Sequence, residues 1–201
     1  MGTLLGYAVD TLAEPVQAFR RMREQPAAYW GLFVFALVAL AELSVTDFET
    51  LASLEGDLPG FQFSTQFMYT LTVASVVFGA LAMLAYSGIV HGVARLLGGS
   101  GSFAGFFTAI NFALLPGLLH VPIHLLARAV ASPALAAIAQ FAVGVWCLVL
   151  YVLAAREAYQ VSTGKAIGIL LLASIIPIAA IAVLIGLFVV LMSGLLASIE
   201  M

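Results

Sequence analysis

Residues 166–199 read AIGILLLASIIPIAAIAVLIGLFVVLMSGLLASI. Three serines are the only polar side chains in this run, and no charge interrupts it. An apolar run of about 18 residues or more marks a transmembrane helix, because a hydrocarbon core of about 30 Å takes about 20 helical residues to cross. This run exceeds the need, since as one helix it reaches about 50 Å. It must tilt, kink at Pro177 or protrude. No polar turn divides it, so it counts as one crossing.

The rest of the chain has the same character. Of its 201 residues 64% are apolar and only 8% are charged, against about 25% charged in a soluble domain. The mean hydropathy is +1.16. A water-soluble fold of this size cannot hide that much apolar surface. A cytosolic enzyme domain, a disordered protein and a secreted disulfide scaffold are excluded. The formal charge of −3 offers no footing for nucleic acid. The single cysteine, Cys147, lies within an apolar run and reads as a small packed residue. The first 27 residues carry Asp10, Glu14 and Glu24 without an apolar run and cleavage site, so no secretory signal is expected.

Upstream of the last block lie four more, at about residues 28–45, 67–93, 103–126 and 134–155. The expected architecture is all-α: a polytopic membrane protein, a five-transmembrane-helix bundle over residues 28–201. Residues 1–27 form an amphipathic segment. Leu5, Val9, Leu12, Val16, Phe19 and Met22 recur at helical spacing, with Asp10, Glu14, Arg20, Arg21 and Arg23 opposite. Pro15 should split this segment into two short helices. It is expected to lie in the membrane interface with its arginines toward anionic lipid.

Basic residues set the orientation. With the N-terminus in the cytoplasm, Arg20, Arg21, Arg23, Arg95, Arg156 and Lys165 lie inside and only Arg128 outside. The acidic loop of residues 46–66, with Asp47, Glu49, Glu55 and Asp57, then falls outside, as does the C-terminus. The other connections are short, which favours antiparallel neighbours in one bundle. Gly98-Gly99-Ser100-Gly101-Ser102 permits a tight reversal, and Ser102 can cap the next helix. It lacks the Lys-Ser/Thr ending of a phosphate loop. No internal repeat is evident.

Several stretches resemble prokaryotic proteins of the Yip1-domain family, in order along nearly the whole chain. The segment Asp10-Thr11-Leu12-Ala13-Glu14-Pro15-Val16-Gln17-Ala18-Phe19, continued to Pro26, is similar to the family's entry segment. His91 to Arg95 and the following Leu-Leu-Gly-Gly-Ser-Gly-Ser-Phe resemble its cytoplasmic turn after the second span. Asn111 to Pro116 resembles its third span. Trp146 to Leu153 and then Arg156-Glu157-Ala158-Tyr159-Gln160-Val161-Ser162-Thr163-Gly164-Lys165-Ala166 resemble its fourth span and the turn into the fifth. The resemblance implies a five-helix membrane protein with a cytoplasmic N-terminus. Eukaryotic relatives act in vesicle trafficking, bind Rab GTPases and pair with related membrane proteins. Their Asp-Leu-Tyr-Gly-Pro signature is only echoed by Asp57-Leu58-Pro59-Gly60, in the loop assigned to the outside.

Four groups of residues can carry chemistry. The cytoplasmic turns gather His91, Arg95, Arg156, Glu157 and Lys165, which with Arg20, Arg21 and Arg23 form a candidate lipid- or partner-binding surface. His120 and His124 are one helical turn apart near the outer end of the third span and could hold a metal ion if Glu42 supplied a third ligand. Glu42, the one acid in an apolar block, needs a partner such as Arg128, a proton or water. Asn111 and the helix break at Pro116, which frees the Phe112 carbonyl, could line a polar path with Glu42. The small-residue pairs Ser75/Gly79, Gly88/Gly92, Gly164/Gly168 and Ala182/Gly186 are expected to pack helices within the chain. No nucleophile has a base and an orienting acid at a common depth, and the two histidines lack the glutamate of a His-Glu-x-x-His motif. The sequence therefore reads as a non-catalytic organiser that binds lipids, other membrane proteins or a second copy of itself. A small transporter or lipid scramblase is the alternative. No cofactor is expected beyond the metal considered at His120 and His124.

Overall fold

The computed structural model describes residues 3–45 and 65–199. The acidic loop before Thr65, and Glu200 and Met201 at the C-terminus, lie outside the described residues. Among the described residues eight α-helices run in chain order: α1 (Leu4–Ala13), α2 (Pro15–Glu24), α3 (Ala28–Ser44), α4 (Thr65–Leu96), α5 (Phe103–Phe112), α6 (His120–Ala129), α7 (Pro133–Tyr159) and α8 (Thr163–Ile199). A 3-10 turn at Leu115–Leu119 links α5 to α6. No strand occurs among the described residues.

Helix boundaries follow local chemistry. The Thr3 hydroxyl accepts from the Gly6 amide at 3.2 Å and opens α1. Glu14 leaves the helical region (φ −137°, ψ 63°) and Pro15 begins α2, so proline splits the segment at its expected place. The Ser102 hydroxyl accepts from the Gly105 amide at 3.1 Å and opens α5. At the end of α4, Gly98 takes φ +79°. Its amide bonds the Arg95 carbonyl at 3.1 Å, and the Gly99 amide bonds the Ala94 carbonyl at 2.8 Å. This pairing satisfies carbonyls that a helix end would leave exposed, and glycine adopts the left-handed conformation without a Cβ penalty. Gln160 plays the corresponding part after α7 at φ +54°, with the Val161 amide on the Arg156 carbonyl.

Among the described residues four helical stretches are long and apolar enough to cross a membrane: Tyr69–Leu96, Phe103–Ala129, Pro133–Tyr159 and Thr163–Met192. Of these four, Phe103–Ala129 is broken at Pro116; α5 ends at Phe112, the residue whose carbonyl proline cannot bond. Helix α3 is apolar but has 17 residues, about 25 Å. That is short of a full crossing, so the five blocks of the sequence yield four helices of spanning length.

The broken span is the axis of the molecule. Its most apolar window is 61% buried, against 11%, 11% and 0% for the other three. Every residue from Gly105 to Ala113 is buried. One core cluster joins Tyr7, Phe19, Met22, Val34, Phe112 and Leu150. A second joins Val90, Phe106, Ile110, Tyr159 and Ile169. Tyr151 packs against both. Close approach depends on single glycines. A methyl on Gly31 would lie 3.2 Å from Thr108 Cα, and one on Gly105 would lie 3.0 Å from Arg23 Cα. The small-residue pairs do not play this part. A methyl on Gly88, Gly92, Gly164, Gly168 or Gly186 would meet nothing within 4 Å. The expectation that these glycines pack helices within the chain is corrected accordingly; only Gly79, against Phe35, touches another helix.

The N-terminal segment packs into the protein. Phe19 and Met22 of α2 are fully buried, against α5 and α7. In α1 the buried face is Tyr7 and Thr11, while Leu5, Val9 and Leu12 are exposed. The apolar stripe read from the sequence therefore faces outward along α1 and inward along α2. At the other extreme, every residue from 178 to 192 in α8 is exposed. Helix α8 runs through Pro177 without interruption.

Candidate functional site

The first turns of chemistry gather where α2 crosses the end of α7. Glu157 is nearly buried there, its side chain 9% exposed. Arg20 of α2 donates from Nε to Oε2 at 2.7 Å. Arg156 donates from Nε to Oε1 at 2.8 Å, with a second nitrogen 2.6 Å away. Arg23 donates to the Glu157 main-chain carbonyl at 3.1 Å and pairs with Glu24. The hydrogen bond to Glu157 pushes the Arg20 guanidinium above its usual value. Gly105, against the Arg23 backbone, lets α2 come close enough for these contacts.

An open depression lies over this cluster, lined by Arg20, Arg23, Glu24, Arg156, Gln160 and Val161 above Glu157, with a volume of about 700 Å³. Three guanidiniums against two carboxylates leave it net positive. Arg20 is 59% exposed. Guanidinium groups fork onto phosphate and carboxylate oxygens, so the arrangement suits an anionic headgroup or an acidic peptide.

The other members of the expected surface sit close by with different partners. Arg21 pairs with Asp10 at 2.6 Å and fastens α2 to α1. His91 Nδ1 lies 3.3 Å from the Tyr159 hydroxyl, with its ring edge-on to Phe103. Arg95 donates to the Gly99 carbonyl at 3.4 Å. Lys165 Nζ lies near Gly98. These residues hold the turn of residues 97–102 against α7. Within that turn the Ser100 amide bonds the Tyr159 carbonyl at 3.0 Å. A methyl on Gly101 would lie 2.0 Å from the Ala158 carbonyl oxygen. Gly101, Tyr159 and Gln160 were not singled out from sequence as site residues. The only signal was their place in the polar turns that resemble the family.

Glu42 and His120 meet, with Oε1 3.1 Å from Nδ1. Glu42 lies two residues before the end of α3, and His120 opens α6 after the break. Gly117 lies beside Glu42 Oε1, and the Cys147 thiol lies against the Gly117 backbone. Cys147 is near the midpoint of the 27-residue helix α7. His124 lies one turn on, in a shallow depression with Arg128 and Gln140. Among the described residues no three His, Cys, Asp or Glu side chains are grouped to hold a metal ion. A metal at His120 and His124 would need a ligand from elsewhere.

Asn111 is fully buried. Its amide donates to the Phe107 carbonyl at 2.6 Å, and its Oδ1 has no hydrogen-bond partner. A buried acceptor left unpaired costs about 1–3 kcal/mol, whereas an apolar group of similar shape is near neutral. Asn111→Leu should therefore leave stability unchanged or raise it by about 1 kcal/mol. Thermal unfolding in detergent reads this directly, and a marked loss of stability would contradict it.

No curated protein and no solved structure matches the chain. Residues 9–186, most of the chain, match the Yip1 domain, so the protein belongs to the Yip1 family.

Proposed function

We propose that the protein is a non-catalytic membrane organiser of the prokaryotic Yip1 type. It binds anionic lipid, and partner membrane proteins or a second copy of itself, through the basic end of the bundle. The observation that carries this reading is the net-positive depression over Glu157. Two guanidiniums held by the nearly buried Glu157 carboxylate, and a third held by the Glu157 main-chain carbonyl, form a rigid anion-binding surface, with less side-chain entropy to lose than free arginines. This end faces the cytoplasm, since it holds Arg20, Arg21, Arg23, Arg95, Arg156 and Lys165. Helix α3 serves as a fifth, short crossing, with Tyr29 and Trp30 at its cytoplasmic edge. The exposed Leu5, Val9 and Leu12 of α1 rest in the lipid interface, while α2 is held by the protein.

Native mass spectrometry of the chain released from mild detergent tests the reading. Phosphatidylglycerol adducts should exceed phosphatidylcholine adducts. The double variant Arg20→Gln/Arg156→Gln should lose that preference, by about fivefold per basic side chain removed. Unchanged retention of the anionic lipid would overturn it. A second reading, a small transporter or lipid scramblase, is supported by a slot beside Glu42 between α3 and α4. Asn111 does not line that slot.

A further inference from the structure

The depression over Glu157 is built from two segments that lie far apart in the chain. Arg20, Arg23 and Glu24 come from α2, and Arg156, Glu157 and Gln160 from the end of α7 and the turn after it. The depression therefore exists only while α2 is docked. Docking rests on the fully buried Phe19 and Met22 and on the close approach that Gly105 permits. Helix α1 is tied to α2, because Arg21 pairs with Asp10 at 2.6 Å and the Tyr7 hydroxyl donates to the Gln25 carbonyl at 3.1 Å.

The arginines of the depression are only partly committed. Arg20 gives its Nε to one oxygen of Glu157, and Arg156 gives its Nε to the other. Each guanidinium keeps terminal N–H groups for a further acceptor. Arg23 gives one terminal nitrogen to the Glu157 carbonyl and the other to Glu24, and each of those nitrogens carries a second N–H. Three guanidiniums and two carboxylates leave an excess of one positive charge. Docking α2 thus brings Arg20 and Arg23 up to Arg156 with incomplete compensation.

An occupant that meets these donors needs oxygens on more than one face, since they approach from two helices. A carboxylate has two oxygens in one plane, and Glu157 already fills the place between Arg20 and Arg156 that a carboxylate would take. A phosphate group presents oxygens in several directions, and guanidiniums fork onto them.

We infer that the depression takes one phosphate group, held jointly by Arg20 and Arg23 of α2 and Arg156 of α7, and that its occupancy locks the N-terminal helices α1 and α2 onto the bundle. The inference rests on the anion-binding reading given above and adds a coupling that the reading does not require. A phosphate gripped from both sides binds the docked arrangement, whereas the undocked one offers it Arg156 alone. By linkage, the phosphate strengthens docking by the same factor by which docking strengthens its binding. The phosphate can belong to a lipid headgroup or be free in solution.

Hydrogen–deuterium exchange of the full chain in nanodiscs tests it. The conditions are phosphatidylcholine alone, phosphatidylcholine with inorganic phosphate at matched ionic strength, and phosphatidylcholine mixed with phosphatidylglycerol. Exchange in peptides of α1 and α2, referred to peptides of α8, should slow about fivefold or more when phosphate is supplied, the lower end of ordinary coupling. Slowing by phosphatidylglycerol alone identifies a lipid headgroup as the occupant; slowing by inorganic phosphate as well shows that the free anion suffices. In Arg156→Gln the slowing should vanish. Comparing each variant with and without phosphatidylglycerol cancels any change in basal docking. Glu24→Gln adds one positive charge to the site and should reach the same slowing at a lower fraction of phosphatidylglycerol. Retention of phosphatidylglycerol that depends on Arg20 and Arg156, with unchanged exchange in α1 and α2, would leave the anion-binding reading standing and overturn the coupling. Loss of both the retention and the slowing would overturn both. Slowing that persists in Arg156→Gln would also overturn the inference, because a charged membrane surface alone would then account for it.

Discussion

Gly101→Ala should destabilise the protein by about 3 kcal/mol or more, at or beyond the upper end of ordinary overpacking. The added methyl would lie 2.0 Å from the Ala158 carbonyl oxygen and 2.8 Å from both the Ala158 carbonyl carbon and Tyr159 Cδ1. The first two are backbone atoms of α7, which cannot swing aside as a side chain can. Relief requires the turn of residues 97–102 to lift from α7. Lifting breaks the Ser100–Tyr159 backbone hydrogen bond and loosens the seat of Tyr159, which stacks on Phe106 and contacts His91. Tryptophan-fluorescence melting in detergent checks the outcome. A variant within about 1 kcal/mol of the parent, the usual range for a surface change, would show that the turn is not clamped. Because Glu157 adjoins Ala158, the same variant should also weaken retention of anionic lipid.

Phe19→Ala should cost about 3–5 kcal/mol, the range for truncating a buried phenylalanine. Phe19 is fully buried in the cluster with Tyr7, Met22, Phe112 and Leu150. The variant should free the N-terminal pair of helices, so amide hydrogen exchange should rise across α1 and α2 and spread less into α7. Leu5→Ala is the matching control, since Leu5 is 75% exposed; its effect should stay within about 0.5 kcal/mol. Were the segment merely resting on the membrane, Leu5 and Phe19 would behave alike. Equal, small effects of the two substitutions would therefore contradict the docking of α2.

Local chemistry was legible in the sequence wherever one residue dictates one backbone event. Pro15 splits α1 from α2, Ser102 caps α5, Pro116 ends α5 at Phe112, and the glycines after Leu97 reverse the chain. Long-range matching was not legible. Gly31, Gly101, Gly105 and Gly117 each meet a particular atom of a distant element, and a single glycine carries no period that would reveal this. The paired glycines that do have a period stand open. The apolar stripe of residues 1–27 does not keep one role: it is exposed along α1 and buried along α2. Leu5, Val9 and Leu12 can face hydrocarbon, whereas Tyr7 and Thr11 have groups to satisfy, on the carbonyls of Gln25 and Tyr7. The Ala27 amide is bonded to the Thr108 hydroxyl, a long-range match between the N-cap of α3 and α5 that no local pattern announces. The basic residues were grouped correctly by level, but sequence alone did not reveal that Glu157 would draw Arg20, Arg23 and Arg156 together while Arg21 turned to Asp10.

The unequal helices impose a mechanical condition on the surrounding lipid. Helix α3 extends about 25 Å and α8 about 55 Å, and both expose apolar side chains. A flat bilayer of one thickness cannot match both. Lipid beside α3 must thin or tilt, and lipid beside α8 must thicken unless that helix leans, each at a fraction of a kcal/mol per Å of mismatch. With α3 as the short crossing proposed above, the molecule would act as a wedge in thickness, and its energy would depend on the bilayer in which it sits.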